Sequence, residues 1–252
     1  MTEKTPRLAL LCLLLMFGTG AHAADVRIAV AANFTDTTRE LIAAFAETTG
    51  LEAIASYGST GKLYAQINNG APFDVFLAAD RHRPELLEQN EQGVAGTRFT
   101  YARGKLALWS SAPDTFEDPL AWLESGRFAH LAIANPKTAP YGFAAREVLT
   151  KLNLWESLQG RLVRGDSIAQ TFQFVATTNA QSGFVALSQV RAWPEKGGAL
   201  WLVPQSYYSP INQQAILLSR SKDNNAARQW LEFLRGDKAR SIIEKFGYEI
   251  DH

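Results

Sequence analysis

Strand and helix patterns alternate along nearly the whole chain, and this alternation restricts the fold more than any other feature of the sequence. Residues 25–33 (DVRIAVAAN) are mostly apolar with no polar alternation, which is typical of a strand buried on both faces of a sheet. The next segment, 34–50, has Leu41, Ile42 and Phe45 at helical spacing and ends at Gly50. Thr37 and Glu40 have the spacing of a capping box, which predicts the helix start near Thr37.

The same strand–loop–helix unit recurs further along the chain. Further strands are predicted at 51–58, 73–80, 105–111, 130–135, 182–187, 199–204 and 214–219. Further helices are predicted after residue 59 and at 81–89, 141–152, 168–178, 224–236 and 237–247, with Pro84 near the start of one of them. Strands that alternate with helices in this way predict an α/β fold with mostly parallel sheets.

The N-terminal segment has the pattern of a secretory signal peptide. Lys4 and Arg7 precede an apolar run at 8–17, and the small-residue pattern at 21–23 predicts cleavage after Ala23. The run is shorter than the ~18 to 20 residues that a membrane span needs. Cys12 lies inside the run and follows Leu11 rather than a small residue, which disfavours a lipoprotein anchor. The sequence therefore predicts a mature protein that is soluble and exported.

Removal of residues 1–23 leaves 229 residues with no cysteine, 23 basic and 24 acidic side chains. Disulfides and cysteine catalysis are thereby excluded for the mature chain. A nearly neutral chain also lacks the basic field that nucleic-acid binding requires. The remaining length suits two lobes of about 100 residues each.

Four loops that follow strands and open helices carry hydrogen-bonding side chains. They are AANFT, YGSTG, NPKTAPYGF and GDSIAQ, and they supply Asn33, Ser59, Thr60, Tyr141 and Ser167. In α/β sheets, ligands bind beyond the carboxyl ends of strands, where backbone N–H groups at helix starts attract anions. For one such loop taken in isolation, simple helix capping is the favoured interpretation, because nearly every helix needs a cap, and the anion-binding interpretation of Ser59 and Thr60 depends on the rest of the chain.

Metal and carboxylate-pair chemistry find little support in the sequence. His82, His130 and His252 are too scattered for a metal site. Asp74 and Asp80 flank one predicted strand and are interpreted as capping or packing residues rather than as a catalytic pair.

A secreted serine hydrolase is the alternative from a different functional class. The YGSTG loop resembles a nucleophile elbow, but the first glycine of G-x-S-x-G would fall on Tyr57. No histidine and aspartate are suitably placed for a triad, which makes this alternative improbable.

Several of these stretches resemble the periplasmic molybdate-binding proteins of ABC transporters, a branch of the two-lobed solute-binding proteins. The resemblance covers RIAVAANFTDTTRELIAAFAETTG, YGSTGKLYAQINNGAPFDVFLAAD, LAIANPKTAPYGFAAREVL, GDSIAQTFQFVATTNAQSGFVALSQV and the closing ARQWLEFLRGDKARSIIEKFGYEI. It implies a two-lobed periplasmic-binding-protein fold in which each lobe is a mostly parallel sheet flanked by helices. Molybdate or tungstate would bind in the cleft between the lobes, with no catalysis, no cofactor and no direct cation site. Another oxyanion, such as sulfate or phosphate, is the alternative ligand.

The resemblance also implies the residues that hold the oxyanion. Carried over position by position, these are Ala32, Asn33, Ser59, Thr60, Tyr141 and Ile168, the last through its backbone N–H. Many members have serine at positions 33 and 60 and a small residue at 141, and have a tyrosine where this chain has Ala186. We interpret this as a hydroxyl that has moved across the pocket from position 186 to position 141. Arg146 and Lys62 are expected to face solvent.

The resemblance further implies how the chain is divided and what it contacts. Lobe 1 is expected to comprise residues 24–103 and 212–252, and lobe 2 residues 104–211. The two crossovers between the lobes are expected near residues 102–105 and 204–213. The expected partners are the membrane permease subunits of an ABC transporter, and the chain itself is expected to be a monomer.

Overall fold

The computed structural model describes residues 24–195 and 197–250. The predicted signal peptide and His252 therefore lie outside the described residues. The strands are β1 Val26–Ala31, β2 Ala53–Gly58, β3 Val75–Ala78, β4 Phe99–Gly104, β5 Leu106–Ser110, β6 Leu131–Ala134, β7 Leu162–Gly165, β8 Ser182–Ala186, β9 Ala199–Leu202 and β10 Ile211–Leu217. The α-helices are α1 Thr35–Thr49, α2 Thr60–Asn68, α3 His82–Gln89, α4 Pro119–Ser125, α5 Pro140–Lys151, α6 Ile168–Ala176, α7 Leu187–Ala192, α8 Asn225–Arg235 and α9 Asp237–Lys245.

The strands form two five-stranded sheets, which confirms the predicted α/β fold. Sheet 1 has the order β2-β1-β3-β10-β4, and sheet 2 has the order β7-β6-β8-β5-β9. In sheet 1 the strands β2, β1 and β3 are parallel, while β10 lies antiparallel between β3 and β4. In sheet 2 the strands β7, β6 and β8 are parallel, while β5 lies antiparallel between β8 and β9. Each sheet thus has four strands in one direction and one reversed strand.

Helices cover both faces of each sheet, which explains the continuous apolar composition of the central strands. One face of sheet 1 packs against α1, α8 and α9, where Trp230 meets Phe45 edge to face at 5.1 Å between ring centroids. Its other face packs against α2 and α3. Sheet 2 has α4 and α5 on one face and α6 and α7 on the other, where Trp109 stacks on Phe172 at 4.8 Å.

The chain passes between the two sheets twice. It leaves sheet 1 at Gly104, the last residue of β4, and enters sheet 2 at Leu106. It returns between Leu202 at the end of β9 and Ile211 at the start of β10. The strand β10 is the reversed strand of sheet 1 and follows directly on the second passage. The residue limits of the two lobes given above stay a prediction.

Some local predictions were wrong. Helix α1 begins at Thr35, directly after a 3-10 turn at Ala32–Phe34, and not near Thr37. Thr37 is buried inside the helix and is not its N-cap residue, so it forms no capping box. The 3-10 turn leads directly into α1. At this junction Thr35 Oγ1 donates a hydrogen bond to the carbonyl oxygen of Ala32 at 2.9 Å. The predicted position of Pro84 near a helix start is confirmed, because α3 begins at His82 and Pro84 lies in its first turn.

A helix that crosses a lipid bilayer needs about 20 mostly apolar residues. Among residues 24–195 and 197–250, no helix combines the length and the apolar composition needed to cross a membrane.

Candidate anion-binding site

Helix α2 begins at the YGSTG loop, directly after the carboxyl end of β2. Ser59 is the N-cap residue in extended conformation, but its side chain accepts no capping hydrogen bond. The Ser59 Oγ atom is buried and has no hydrogen-bond partner within the described residues. The N–H of Gly61, one of the first N–H groups of the helix, donates instead to the carbonyl oxygen of Thr138 at 2.8 Å. Capping alone therefore does not explain Ser59, and a buried hydroxyl without a partner is costly unless a ligand supplies one.

Thr60 is the first residue of α2 and is 1% exposed. Its Oγ1 accepts a hydrogen bond at 3.1 Å from the backbone N–H of Ala79, which follows β3. An accepting hydroxyl still has its own proton to donate. Within the described residues neither that proton nor the N–H of Thr60 has a partner, so both are available at the helix N-terminus.

Helix α6 provides a second N-terminus, this time from sheet 2. Ser167 is its N-cap, and the Ser167 hydroxyl oxygen accepts from the N–H of Gln170 at 3.3 Å. Ile168 is the first helical residue and is 4% exposed. Its carbonyl oxygen accepts from Gln189 Nε2 at 3.1 Å, whereas its N–H has no partner among the described residues. The predicted donor at this position is thus a free backbone N–H with the positive end of a nine-residue helix behind it.

Ala32 and Asn33 form the 3-10 turn between β1 and α1, and both are buried. The two side-chain N–H groups of Asn33 donate to Gln213 Oε1 at 2.8 Å and to the Tyr248 hydroxyl oxygen at 3.0 Å. The Asn33 carbonyl oxygen accepts from Ser188 Oγ at 3.0 Å and from the Tyr248 hydroxyl at 2.8 Å. The amide protons of Asn33 are therefore used within the protein, and a contact from this turn to a ligand would come from its backbone.

Tyr141 lies in the first turn of α5 and is 1% exposed. Its hydroxyl oxygen accepts a long hydrogen bond of 3.5 Å from Gln213 Nε2. Burial raises the pKa of the Tyr141 hydroxyl well above its usual value, so the group keeps its proton and can donate it. Tyr141 and Ala186 belong to the same buried cluster, which places the two positions of the proposed relocated hydroxyl in one region of the fold.

Contacts join the two sheets around these loops. The Gly61–Thr138 hydrogen bond connects α2 to the loop before α5, and the Ser188–Asn33 bond connects α7 to the loop after β1. Ala31 at the end of β1, and Ala32 and Ala79, which follow β1 and β3, also pack into the apolar cluster of sheet 2. The loops that were predicted to form the site are thus brought together in a closed arrangement.

The basic side chains of Lys62, Arg83 and Arg146 are directed elsewhere. Lys62 Nζ pairs with Asp166 at 2.9 Å across the two sheets, and both side chains are largely exposed. Arg83 pairs with Asp80 and donates to the carbonyl oxygen of Lys137. Arg146 is exposed and lies over the Trp155 ring. The solvent-facing positions predicted for Lys62 and Arg146 are confirmed.

The alternative chemistries find no support in the geometry. Asp74 accepts hydrogen bonds from the backbone N–H of Arg27 and from the Ser221 hydroxyl, which confirms its packing role, and Asp80 pairs with Arg83. Among the described residues there is no group of three or more potential metal ligands. Ser59 Oγ has no histidine or carboxylate partner in that part of the chain, so it lacks the base that a serine nucleophile needs.

A groove between the sheets is lined by none of the six predicted site residues. It has a volume of about 450 Å³ and is lined by residues of the loops before α3 and α5 and of the passage into β10. The polar groups that line it include Asp80 and Arg83, which pair with each other, and Glu147, which accepts from Ser209. Because the groove is far larger than one tetrahedral oxyanion and none of the six predicted residues lines it, we place the site at the buried loops instead.

Sequence reasoning missed two residues that form hydrogen bonds with the predicted site residues. Gln213 on β10 is fully buried, and its amide contacts Asn33, Tyr101 and Tyr141. Tyr248, in the C-terminal segment after α9, contacts Asn33. The signal that could have identified Gln213 is the pair of glutamines in the strand at 211–217, where the other residues apart from Asn212 are apolar. A polar side chain in such a strand requires buried partners.

Comparisons with known proteins show which family the chain resembles over nearly its whole length. The model of the family described as "Bacterial extracellular solute-binding protein" matches residues 26–249. The molybdate-binding protein ModA of Azotobacter vinelandii is 53% identical over 229 residues, which cover 90% of this chain and 91% of that protein. The molybdate-binding protein ModA of Rhodobacter capsulatus is 47% identical over 228 residues, covering 90% and 89% of the two chains.

A solved structure gives the same result for the fold. The Azotobacter vinelandii periplasmic molybdate-binding protein superposes with a TM-score of 0.86 and 40% identity. The match covers 90% of this chain and 100% of that one.

Proposed function

Because this chain belongs to the bacterial extracellular solute-binding proteins, we propose that it captures molybdate in the periplasm and delivers it to the permease of an ABC transporter. The relatives that support this ligand are 53% and 47% identical over 90% of the chain. The chain is a transport component and not an enzyme. The observation that carries the proposal is the buried Ser59 hydroxyl, which has no partner within the described residues and lies at the N-terminus of α2.

The ligand is held by neutral donors from both sheets. Ser59 and Thr60 act from α2, the backbone of Ala32 and Asn33 acts from the turn after β1, and Tyr141 and the Ile168 N–H act from the other side. Several oriented N–H and O–H groups stabilise a dianion inside a closed, poorly solvated cleft without a cationic side chain. The positive ends of α2 and α6 add to this field.

The same cradle selects molybdate and tungstate over smaller or protonated anions. The longer metal–oxygen bonds of molybdate and tungstate let their oxygens reach donors on both sides at once, whereas sulfate is too small to reach all of them. Phosphate at neutral pH is partly protonated and would place a donor against donors. Tungstate, which differs little from molybdate in size and charge, binds in the same way.

The remaining parts of the proposal concern the route and the state of the protein. The signal peptide directs export and is cleaved after Ala23. The mature protein acts as a monomer of two lobes, with the limits given above, which close over the anion. The closed form presents the ligand to the membrane permease subunits.

Isothermal titration of the mature protein with molybdate, tungstate, sulfate and phosphate tests the proposal. We expect tight binding of the first two and at least a hundredfold weaker binding of the other two. Equal affinity for all four anions would contradict the selectivity argument. Tight binding of sulfate or phosphate alone would replace molybdate with another oxyanion as the ligand.

A further inference from the structure

We propose that Gln213 is a positioning residue that orients the Tyr141 hydroxyl proton toward the bound oxyanion. This assignment rests on the proposed function, because it names a group that acts on the anion only through the ligand-binding residues. Gln213 lies on β10, is 0% exposed, and contacts side chains that belong to both sides of the site. Its role follows from the direction in which its amide is fixed.

The oxygen of the Gln213 amide is held by two donors. Oε1 accepts from Asn33 Nδ2 at 2.8 Å and from the Tyr101 hydroxyl at 3.2 Å. A rotation of the amide by half a turn would place its NH₂ group against the NH₂ group of Asn33, with donors facing donors. The network therefore holds Oε1 toward Asn33 and Tyr101.

The fixed amide then determines what Tyr141 can do. With Oε1 directed to Asn33, Nε2 is directed to the Tyr141 hydroxyl oxygen, 3.5 Å away. A hydroxyl that faces an N–H can only accept from it, so its own proton points away from Gln213. Burial raises the Tyr141 pKa, which keeps that proton in place. The proton is left to donate to the ligand.

The position of Gln213 in the chain also links the two sides. It is the third residue of β10, the strand that follows the second passage from sheet 2 to sheet 1. Its partners Asn33 and Tyr101 belong to the sheet 1 side, and Tyr141 belongs to the sheet 2 side. The amide thus orients the Tyr141 hydroxyl when the two sides come together.

The neighbouring residue provides a matched control. Gln214 is also buried. Its Oε1 accepts from Arg98 Nη1 at 2.8 Å, and its Nε2 donates to Thr100 Oγ1 at 3.2 Å. These contacts lie away from the predicted site residues. Replacing either glutamine with methionine keeps the volume and removes the amide. The two variants therefore remove similar hydrogen bonds from adjacent positions of one strand.

The experiment measures molybdate affinity by isothermal titration for the wild type, Gln213→Met, Gln214→Met, Tyr141→Phe and the Gln213→Met/Tyr141→Phe double variant. We expect Gln213→Met to weaken binding at least tenfold and Gln214→Met to stay within twofold of the wild type, although both lower the melting temperature. In the Tyr141→Phe background, the Gln213→Met loss shrinks at least threefold, since the proton that Gln213 orients is gone. A purely structural role would give the same loss in both backgrounds.

The outcomes separate this inference from the proposed function. If Gln213→Met binds as tightly as the wild type, or loses no more than Gln214→Met, the assignment of Gln213 is wrong while the function stands. An equal loss with and without the Tyr141 hydroxyl also overturns it. If the wild type binds none of the four oxyanions, both proposals fail. Should circular dichroism show that Gln213→Met does not fold, Gln213→Asn, which shortens the side chain and keeps the amide, replaces it under the same criteria.

Discussion

Replacement of Ser59 by alanine removes one donor from the proposed site, and it breaks no side-chain hydrogen bond to any of the described residues. Its hydroxyl is buried at the N-cap of α2, accepts no capping bond, and has no partner in residues 24–195 and 197–250. In most serine replacements a lost internal contact obscures the effect on binding. Here any loss of affinity belongs to the ligand contact.

The expected loss follows from the charge of the ligand. A hydrogen bond to a charged group contributes about 1.5 to 3 kcal/mol, which corresponds to a roughly 10- to 150-fold change in the dissociation constant. We expect Ser59→Ala to weaken molybdate binding within this range. The stability of the ligand-free protein should not fall, because no internal hydrogen bond is lost.

Ser182→Ala is the matched control for this experiment. Ser182 on β8 also carries a buried hydroxyl with no partner in the described part of the chain, but it lies at the opposite end of its strand from Ala186 and the site loops. Isothermal titration and thermal unfolding are measured for both variants. Ser182→Ala should bind molybdate like the wild type. If Ser59→Ala binds within twofold of the wild type, or loses no more than Ser182→Ala, the Ser59 hydroxyl does not contact the anion.

Three further results are expected. Tyr141→Phe removes a charge-assisted donor and should weaken molybdate binding by roughly 10- to 150-fold in a titration, and an unchanged affinity would disprove the relocated hydroxyl. Gly61→Ala places a Cβ 3.0 Å from the Cα and the oxygen of Thr138, which hinders the approach of the two sheets at a cost of about 1 to 3 kcal/mol, so the affinity for molybdate should fall in a titration. The control is Gly160→Ala, whose Cβ would have no other atom within 4 Å and which should bind molybdate like the wild type. Burial raises the pKa of five tyrosines among the described residues, including Tyr101, Tyr141 and Tyr248. The unfolded chain loses these protons near pH 10 while the folded protein keeps them, so the melting temperature should fall above about pH 10, and a flat profile from 9 to 11 would contradict this.

The fold could be predicted from the sequence wherever a strand is buried on both faces. The stretch that became β1 is apolar except for Arg27, and the strands β3, β6 and β8 are fully buried. Two strands were missed because their sequences lack this signal. Strand β4 contains Thr100 and Arg103 and only partly faces the core, and β7 has four residues, one of them Arg164. The missed helices α4 and α7 have seven and six residues, too few to show a clear period.

The site could be predicted in part, because its loops combine helix starts with hydroxyl side chains. Backbone donors such as the Ile168 N–H have no side-chain signal, and that position came from the family resemblance rather than from the residue type. The role of Asn33 shows a further limit. Its amide side chain suggests a direct hydrogen bond to the ligand. In the structure this amide instead donates to Gln213 and Tyr248, which lie 180 and 215 residues away in the chain. Contacts at this separation are set by sheet order and cannot be inferred from local sequence.

The absence of a cation from the proposed cradle has a consequence for delivery. Lys62 and Arg83 are paired with Asp166 and Asp80, so binding relies on oriented dipoles contributed by elements of both sheets. If the sheets separate as proposed, Tyr141 and the Ile168 N–H move away from Ser59 and Thr60 together, and water replaces the lost donors at once. An arginine fixed to one side would keep the anion after opening, because a bidentate ion pair does not depend on the other side. Tight binding in the closed form and rapid release in the open form therefore follow from the same set of neutral donors.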